Sequence, residues 1–272
     1  MNTIFKHSLL ASLALAGATA TQAQLLTDSF SYSDGDITTV SGGNWVAYGP
    51  DTTTKFQVSN GAAIINQGDT TSGRQDVSQA IGGTFSTTGN TVAYVGFDAT
   101  WSALPTNTDG SYFAVFSNST SSTTSLFGRI GADIDGAAAG KFRITVANAN
   151  WSIANSMEFQ QDLSLNTTYH VVVRYDLIAK QTTLWVNPAS SASTSVTATD
   201  AVGTQADLTA FDLRQGVSGG TGAPGIIAVD NLAIGTSFSQ VSPVPEPSAY
   251  AAIFAGGLAT FALLRRRAGS AK

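Results

Sequence analysis

Between residues 24 and 242, apolar and polar side chains alternate in short bursts separated by turn-forming residues. Phe56-Gln57-Val58-Ser59 runs into Asn60-Gly61 and then Ala62-Ala63-Ile64-Ile65. Asn-Gly between two such runs tolerates the positive φ angles of a two-residue turn and predicts a hairpin. Further strands are predicted at 92–101, 112–116, 126–130, 142–146, 169–175, 182–186 and 226–234. In Phe142-Arg143-Ile144-Thr145-Val146 the period is two, which turns one apolar face inward and predicts a wet opposite face. Val, Ile, Phe, Tyr, Trp and Thr dominate these bursts, the residues that suit a pleated, half-buried surface. No helical stripe interrupts them, and 199–210 holds either one short helix or a long connection. With no fixed-period repeat, the pattern predicts an all-β fold, an antiparallel β-sandwich of jelly-roll type.

The two ends break the alternation. Lys6 and His7 precede an apolar run over 9–18, and small residues then lead to Ala20 and Ala23, either of which fits a cleavage position. A basic flank, a short apolar stretch and a small-residue exit form a secretory signal over 1–23, so export is expected. At the far end, Val244-Pro245-Glu246-Pro247-Ser248 bars helix, and the charge-free stretch 249–264 follows. As a helix that stretch would extend about 24 Å, slightly short of the roughly 30 Å hydrocarbon core. Tyr250 suits one interface, and Arg265-Arg266-Arg267 suits a cytoplasmic one, so the domain is expected outside and the basic tail 265–272 inside. The chain thus divides into a signal peptide (1–23), a β domain (24–242) and an anchor (243–272).

Composition narrows the chemistry. Residues 24–242 hold eight bases against 17 acids, a net charge of −9, which argues against a nucleic-acid partner. The chain has no Cys, excluding disulfides, thiolate metal sites and a cysteine nucleophile. The β domain has one His, His170, and one Glu, Glu158.

The order Val244-Pro245-Glu246-Pro247, apolar helix, arginine cluster, chain end is similar to the PEP-CTERM sorting signal of Gram-negative bacteria. The resemblance implies recognition of Pro245, Glu246 and Pro247, with Arg265, Arg266 and Arg267 behind them, by an exosortase-type membrane enzyme. It further implies transient anchoring in the inner membrane, a final place at the cell surface or in the extracellular matrix, and association with exopolysaccharide and biofilm.

A second resemblance covers the body. Thr168-Tyr169-His170-Val171-Val172-Val173-Arg174-Tyr175-Asp176, followed by Thr183-Leu184-Trp185-Val186-Asn187, resembles a strand pair of the laminin-G and concanavalin-A-like jelly rolls. Ala228-Val229-Asp230-Asn231-Leu232-Ala233-Ile234-Gly235 resembles their last strand, and Leu26-Thr27-Asp28-Ser29-Phe30 their first, which implies that these two segments pair. Glucanases of this fold carry two Glu on one strand; Glu158 stands alone, so their activity is not implied and Glu158 reads as a surface residue. His170, without a Gly-x-Ser-x-Gly elbow, reads as structural. Asp133-Ile134-Asp135-Gly136 imitates only the start of a calcium loop. The resemblance places structural calcium at Asp28 and Asp230, although either residue could equally bond a turn backbone. For carbohydrate, Trp45 and Trp151 lie near loops and are the candidate platforms, with core packing the default reading of each, whereas the facing of Trp185 is undetermined. The expectation is a non-catalytic, surface-associated protein with weak carbohydrate binding; the alternatives are a glycan-active hydrolase or lyase using Asp residues, and a purely structural matrix protein.

Overall fold

The computed structural model describes residues 24–49, 54–66, 74–106, 111–152, 154–215 and 222–242. The signal segment and the 243–272 anchor lie outside these residues, and no described helix is long and apolar enough to cross a membrane.

The strands are β1 (Leu26–Asp28), β2 (Gly35–Asp36), β3 (Trp45–Tyr48), β4 (Gln57–Ser59), β5 (Ala62–Asn66), β6 (Asp76–Phe85), β7 (Val92–Ala103) and β8 (Ser111–Ser117). They continue as β9 (Leu126–Asp133), β10 (Arg143–Ala147), β11 (Met157–Glu158), β12 (Thr168–Asp176), β13 (Gln181–Val186), β14 (Val196–Ala198), β15 (Leu208–Leu213) and β16 (Ile226–Gly235). Two one-turn helices, α1 (Ile37–Val40) and α2 (Phe238–Val241), complete the described elements. Sheet A runs β14-β13-β12-β7-β16-β5-β4-β2, with β1 also paired to β16; sheet B runs β11-β10-β9-β8-β15-β6-β3. The named strands pair antiparallel throughout, and the two sheets pack into a β-sandwich of jelly-roll type.

The hairpin read from Asn60-Gly61 joins β4 to β5, with φ of 53° and 75° at its two turn residues. Leu26 pairs with Ile234, so the first and last strands lie side by side as the second resemblance implied. Alternation then sorts side chains between sheets: Phe97 and Trp101 of β7 meet Phe113 of β8, and Trp101 also meets Phe142, with ring centroids 4.7 to 6.1 Å apart. All four rings are fully buried, each contributing roughly 2–3 kcal/mol by leaving water.

Of the two readings left open for 199–210, the connection is the one present: residues 199–207 form no helix, and the chain then enters β15. One sequence expectation needs correction. The wet face expected along β10 is covered at Thr145, which is buried. Its cross-strand partner Gly131 lies so close under the Trp151 indole that a Cβ on Gly131 would sit 2.0 Å from the ring. The loop after β10 therefore folds an aromatic back over this face.

Helix α2 covers the opposite side of the sandwich. Val241 and Phe238 pack on Val172, Trp185, Ala233 and Tyr94 across the outer face of sheet A. Gly96 permits the approach, since a Cβ there would stand 2.1 Å from the Val241 carbonyl oxygen.

Candidate functional site

Two places concentrate polar chemistry. The first is a cleft of about 770 Å³ on sheet A, lined by residues that include Asp28, Tyr32, Asp98, His170 and Asn231. Asp98 and His170 are cross-strand partners on β7 and β12 and lie on the outward side of the pleat. His170 Nδ1 lies 2.8 Å from Asp98 Oδ1, and Nε2 lies 3.2 Å from the Val241 carbonyl oxygen. Both partners are acceptors, so the two contacts are hydrogen bonds together only when each ring nitrogen carries a proton. A bulge in β16 turns Asn231 to a φ of 51°, and its amide donates to Asp98 Oδ2 at 2.9 Å. With Nε2 facing a backbone carbonyl, His170 has no ring nitrogen directed at a nucleophile. Its position is structural, linking β12 to β7 and α2.

Asp28 forms the other wall. Its Oδ1 accepts the Phe30 N–H, and its Oδ2 accepts the Tyr32 hydroxyl and the Trp45 indole N–H, each at 2.8 Å. Burial, with the Asp28 carboxylate beside it, pushes the Tyr32 phenol up to about 12. Asp230 is partly exposed, accepts the Asn231 N–H, and is raised by desolvation and by the nearby Asp98 and Asp28 charges. The calcium expected on Asp28 and Asp230 does not fit this arrangement. Three donated protons surround the Asp28 oxygens, and among the described residues no group of three or more His, Asp or Glu side chains is placed to hold a metal ion. In Asp133-Ile134-Asp135-Gly136, Asp133 is likewise turned to its own loop, accepting the Asp135 N–H.

Trp45 is a second correction. Offered as a candidate carbohydrate platform, it is fully buried: β3 turns it into the core against Phe30, and Asp28 satisfies its indole N–H. Trp101 is also core, and Trp185 lies beneath α2 against Phe238. Trp151 alone of the four tryptophans is partly exposed.

Trp151 belongs to the second place, the outer face of sheet B. The Asp200 carboxylate accepts the backbone N–H groups of Asn148, Ala149 and Asn150, shaping the loop that presents Trp151. The indole packs against Tyr112 at 5.8 Å between centroids, above Val115 and Leu126. Two guanidiniums stack on the same tyrosine: the Cζ atoms of Arg129 and Arg214 lie 4.6 and 4.3 Å from its ring centroid. Arg214 donates to Asp76, and Arg143, further along the sheet, holds Glu158 and Asp162 at 2.9 and 3.0 Å. Burial pulls the Arg129 guanidinium down to about 10, with Asp200 opposing the shift, which leaves it cationic at pH 7. Tyr112, Arg129 and Arg214 escaped sequence reasoning. The available signal was a charge, Arg129, set in the apolar burst Leu126-Phe127-Gly128-Arg129-Ile130.

Buried acids lie on the same sheet. Asp212, fully buried, accepts hydrogen bonds from the Ser78 and Ser117 hydroxyls, and desolvation raises it to about 7. Desolvation, aided by the Glu158 charge, raises Asp133 to about 7. At full burial Asp212 is out of reach of a polymeric substrate.

No protein-family model matches the chain, and comparison with curated proteins finds no match. Among solved structures, the chain is similar to a sialidase at 12% identity and a TM-score of 0.43, covering 79% of this chain and 19% of that one. It is similar to the marine PL7 alginate lyase AlyA1 from Zobellia galactanivorans at 16% identity and a TM-score of 0.40, covering 74% and 87%. The binding domain of botulinum neurotoxin DC gives 9% identity and a TM-score of 0.40, over 76% and 44%. The chain thus spans about a fifth of the sialidase's length. At such identities and scores these likenesses carry no argument about ligand or activity, and the fold rests on the strand pairing itself.

Proposed function

We propose that this chain is an exported, non-catalytic carbohydrate-binding protein of the cell surface or extracellular matrix. Its body is a concanavalin-A-like sandwich displayed toward an exopolysaccharide. The observation that carries the binding role is the partly exposed Trp151 on the outer face of sheet B, packed on the buried Tyr112 ring and held by the Asp200-anchored loop. Sugar rings stack their apolar faces on such aromatics while neighbouring polar groups bond the hydroxyls. The sequence at 1–23 supports export, and Pro245-Glu246-Pro247 with the 249–264 stretch and Arg265-Arg266-Arg267 supports handling by an exosortase-type enzyme after anchoring in the inner membrane. The absence of catalysis is supported by three positions: Glu158 is ion-paired to Arg143, His170 Nε2 faces a backbone carbonyl, and Asp212 is sealed.

Electrophoresis of the full chain through a gel containing the host's own exopolysaccharide tests this reading. Retardation that saturates, and that Trp151→Ala abolishes, supports it. Unretarded migration of the wild-type chain, or release of reducing or unsaturated sugar ends from the polysaccharide, overturns it.

A further inference from the structure

Arg129 stands apart from the other arginines described. Arg143, Arg174 and Arg214 each hold a carboxylate, and Arg74 donates to the Asn66 carbonyl. Among the described residues Arg129 has neither kind of partner: its Nε is buried without a hydrogen bond, and its guanidinium stacks on the Tyr112 ring. Asp200, the acid whose charge reaches it, directs its carboxylate oxygens to three backbone N–H groups. Acids outnumber bases about two to one in residues 24–242, so a partner would be easy to supply. A half-buried guanidinium left without an anion weakens the fold, because its lost hydration is not replaced.

The neighbours define what would replace it. Arg129 and Trp151 lie 4.6 and 5.8 Å from the same Tyr112 ring, one a cationic fork and the other a partly exposed apolar plate. A guanidinium matches a carboxylate with two parallel hydrogen bonds, whereas the indole matches the C–H face of a pyranose. We infer that the outer face of sheet B binds carboxylated sugars, the uronate residues of an acidic polysaccharide, with Arg129 holding the carboxylate and Trp151 the ring. The inference rests on the carbohydrate-binding reading and adds the ligand's charge. A body of net charge −9 repels polyanions at long range, so selectivity must come from contact, and at physiological ionic strength the repulsion is screened beyond about 8 Å.

The test uses the full chain, purified in detergent, and titrates it at physiological ionic strength with polygalacturonate, its fully methyl-esterified form and dextran sulfate. Polygalacturonate is expected to bind at least roughly tenfold more tightly than the ester, and Arg129→Met to erase that difference while leaving ester binding in place. Arg129→Met is also expected to keep or raise the thermal midpoint, since it removes an unpaired charge; this separates a lost contact from a lost fold. Equal binding of acid and ester, an unaltered preference in Arg129→Met, or equal binding of dextran sulfate overturns the uronate assignment while leaving carbohydrate binding intact. Absence of saturable binding to polygalacturonate overturns the uronate assignment, and unretarded migration in the gel of the host's own exopolysaccharide overturns the carbohydrate-binding reading beneath it.

Discussion

Asp28 accepts hydrogen bonds from Phe30, Tyr32 and Trp45, so a carboxylate at the sandwich edge acts as a pin for a buried indole. Removing it strands the buried Phe30 N–H and Trp45 indole N–H, and Asp28→Ala is expected to lower unfolding free energy by about 2–4 kcal/mol in urea titrations. Since three donors already occupy the Asp28 carboxylate, millimolar calcium is expected to leave the wild-type thermal midpoint unmoved. Asp212 and Asp133 set a second dependence. Both rise from an ordinary 3.8 to about 7 in the folded chain, so between those values the native state holds more protons than the unfolded state. Stability is therefore highest near pH 4 on their account and falls as pH climbs toward 7, by roughly 1 kcal/mol per pH unit for each group at most. Urea midpoints at pH 5 and pH 8 should show this fall, and Asp212→Asn should reduce it.

At the scale of elements, two glycines decide what lies on each outer face. Gly96 lets the Val241 carbonyl approach sheet A, so Gly96→Ala is expected to lift α2 from Trp185 and cost about 1–3 kcal/mol. A red shift of tryptophan emission would report it. Gly131 lets the Trp151 indole approach sheet B closely, so Gly131→Ala is expected to displace the ring and abolish polysaccharide retardation with the fold retained. Most strands were legible because a half-buried sheet stamps a period of two on its residues: β7, β8, β9, β12, β13 and β16 contain the predicted segments, and β10 covers all of its segment but Phe142. By contrast β6, Asp-Val-Ser-Gln-Ala-Ile-Gly-Gly-Thr-Phe, hides its alternation. Its outward Ser78 serves the buried Asp212 rather than solvent, and its two glycines carry no side chain to read. Trp45 and Trp151 looked alike in sequence, each following a polar or glycine-rich loop. Only the direction in which each loop turns separates them: β3 carries Trp45 inward, and the Asp200-bound loop lays Trp151 on the surface.

For the whole molecule, the sandwich joins its first strand to its last, so both ends of the body emerge from sheet A, while the proposed binding face belongs to sheet B. An anchor attached after α2 would leave that face unencumbered. If the tail is processed as proposed, mass spectrometry of native material should find no peptide containing Arg265 to Lys272, and a peptide starting after Ala20 or Ala23. The sequence by itself determined what depends on local order: the strand periodicity, the Asn60-Gly61 turn, the acidic balance and the two apolar ends, because each is a property of neighbours along the chain. The tertiary structure alone decided which tryptophan meets solvent, that Asp28 bonds an indole, and that Arg129 stacks on Tyr112 with no carboxylate of its own. Those facts arise where strands distant in sequence come to lie side by side, and the pairing register that brings them there is set by the packing of the whole core.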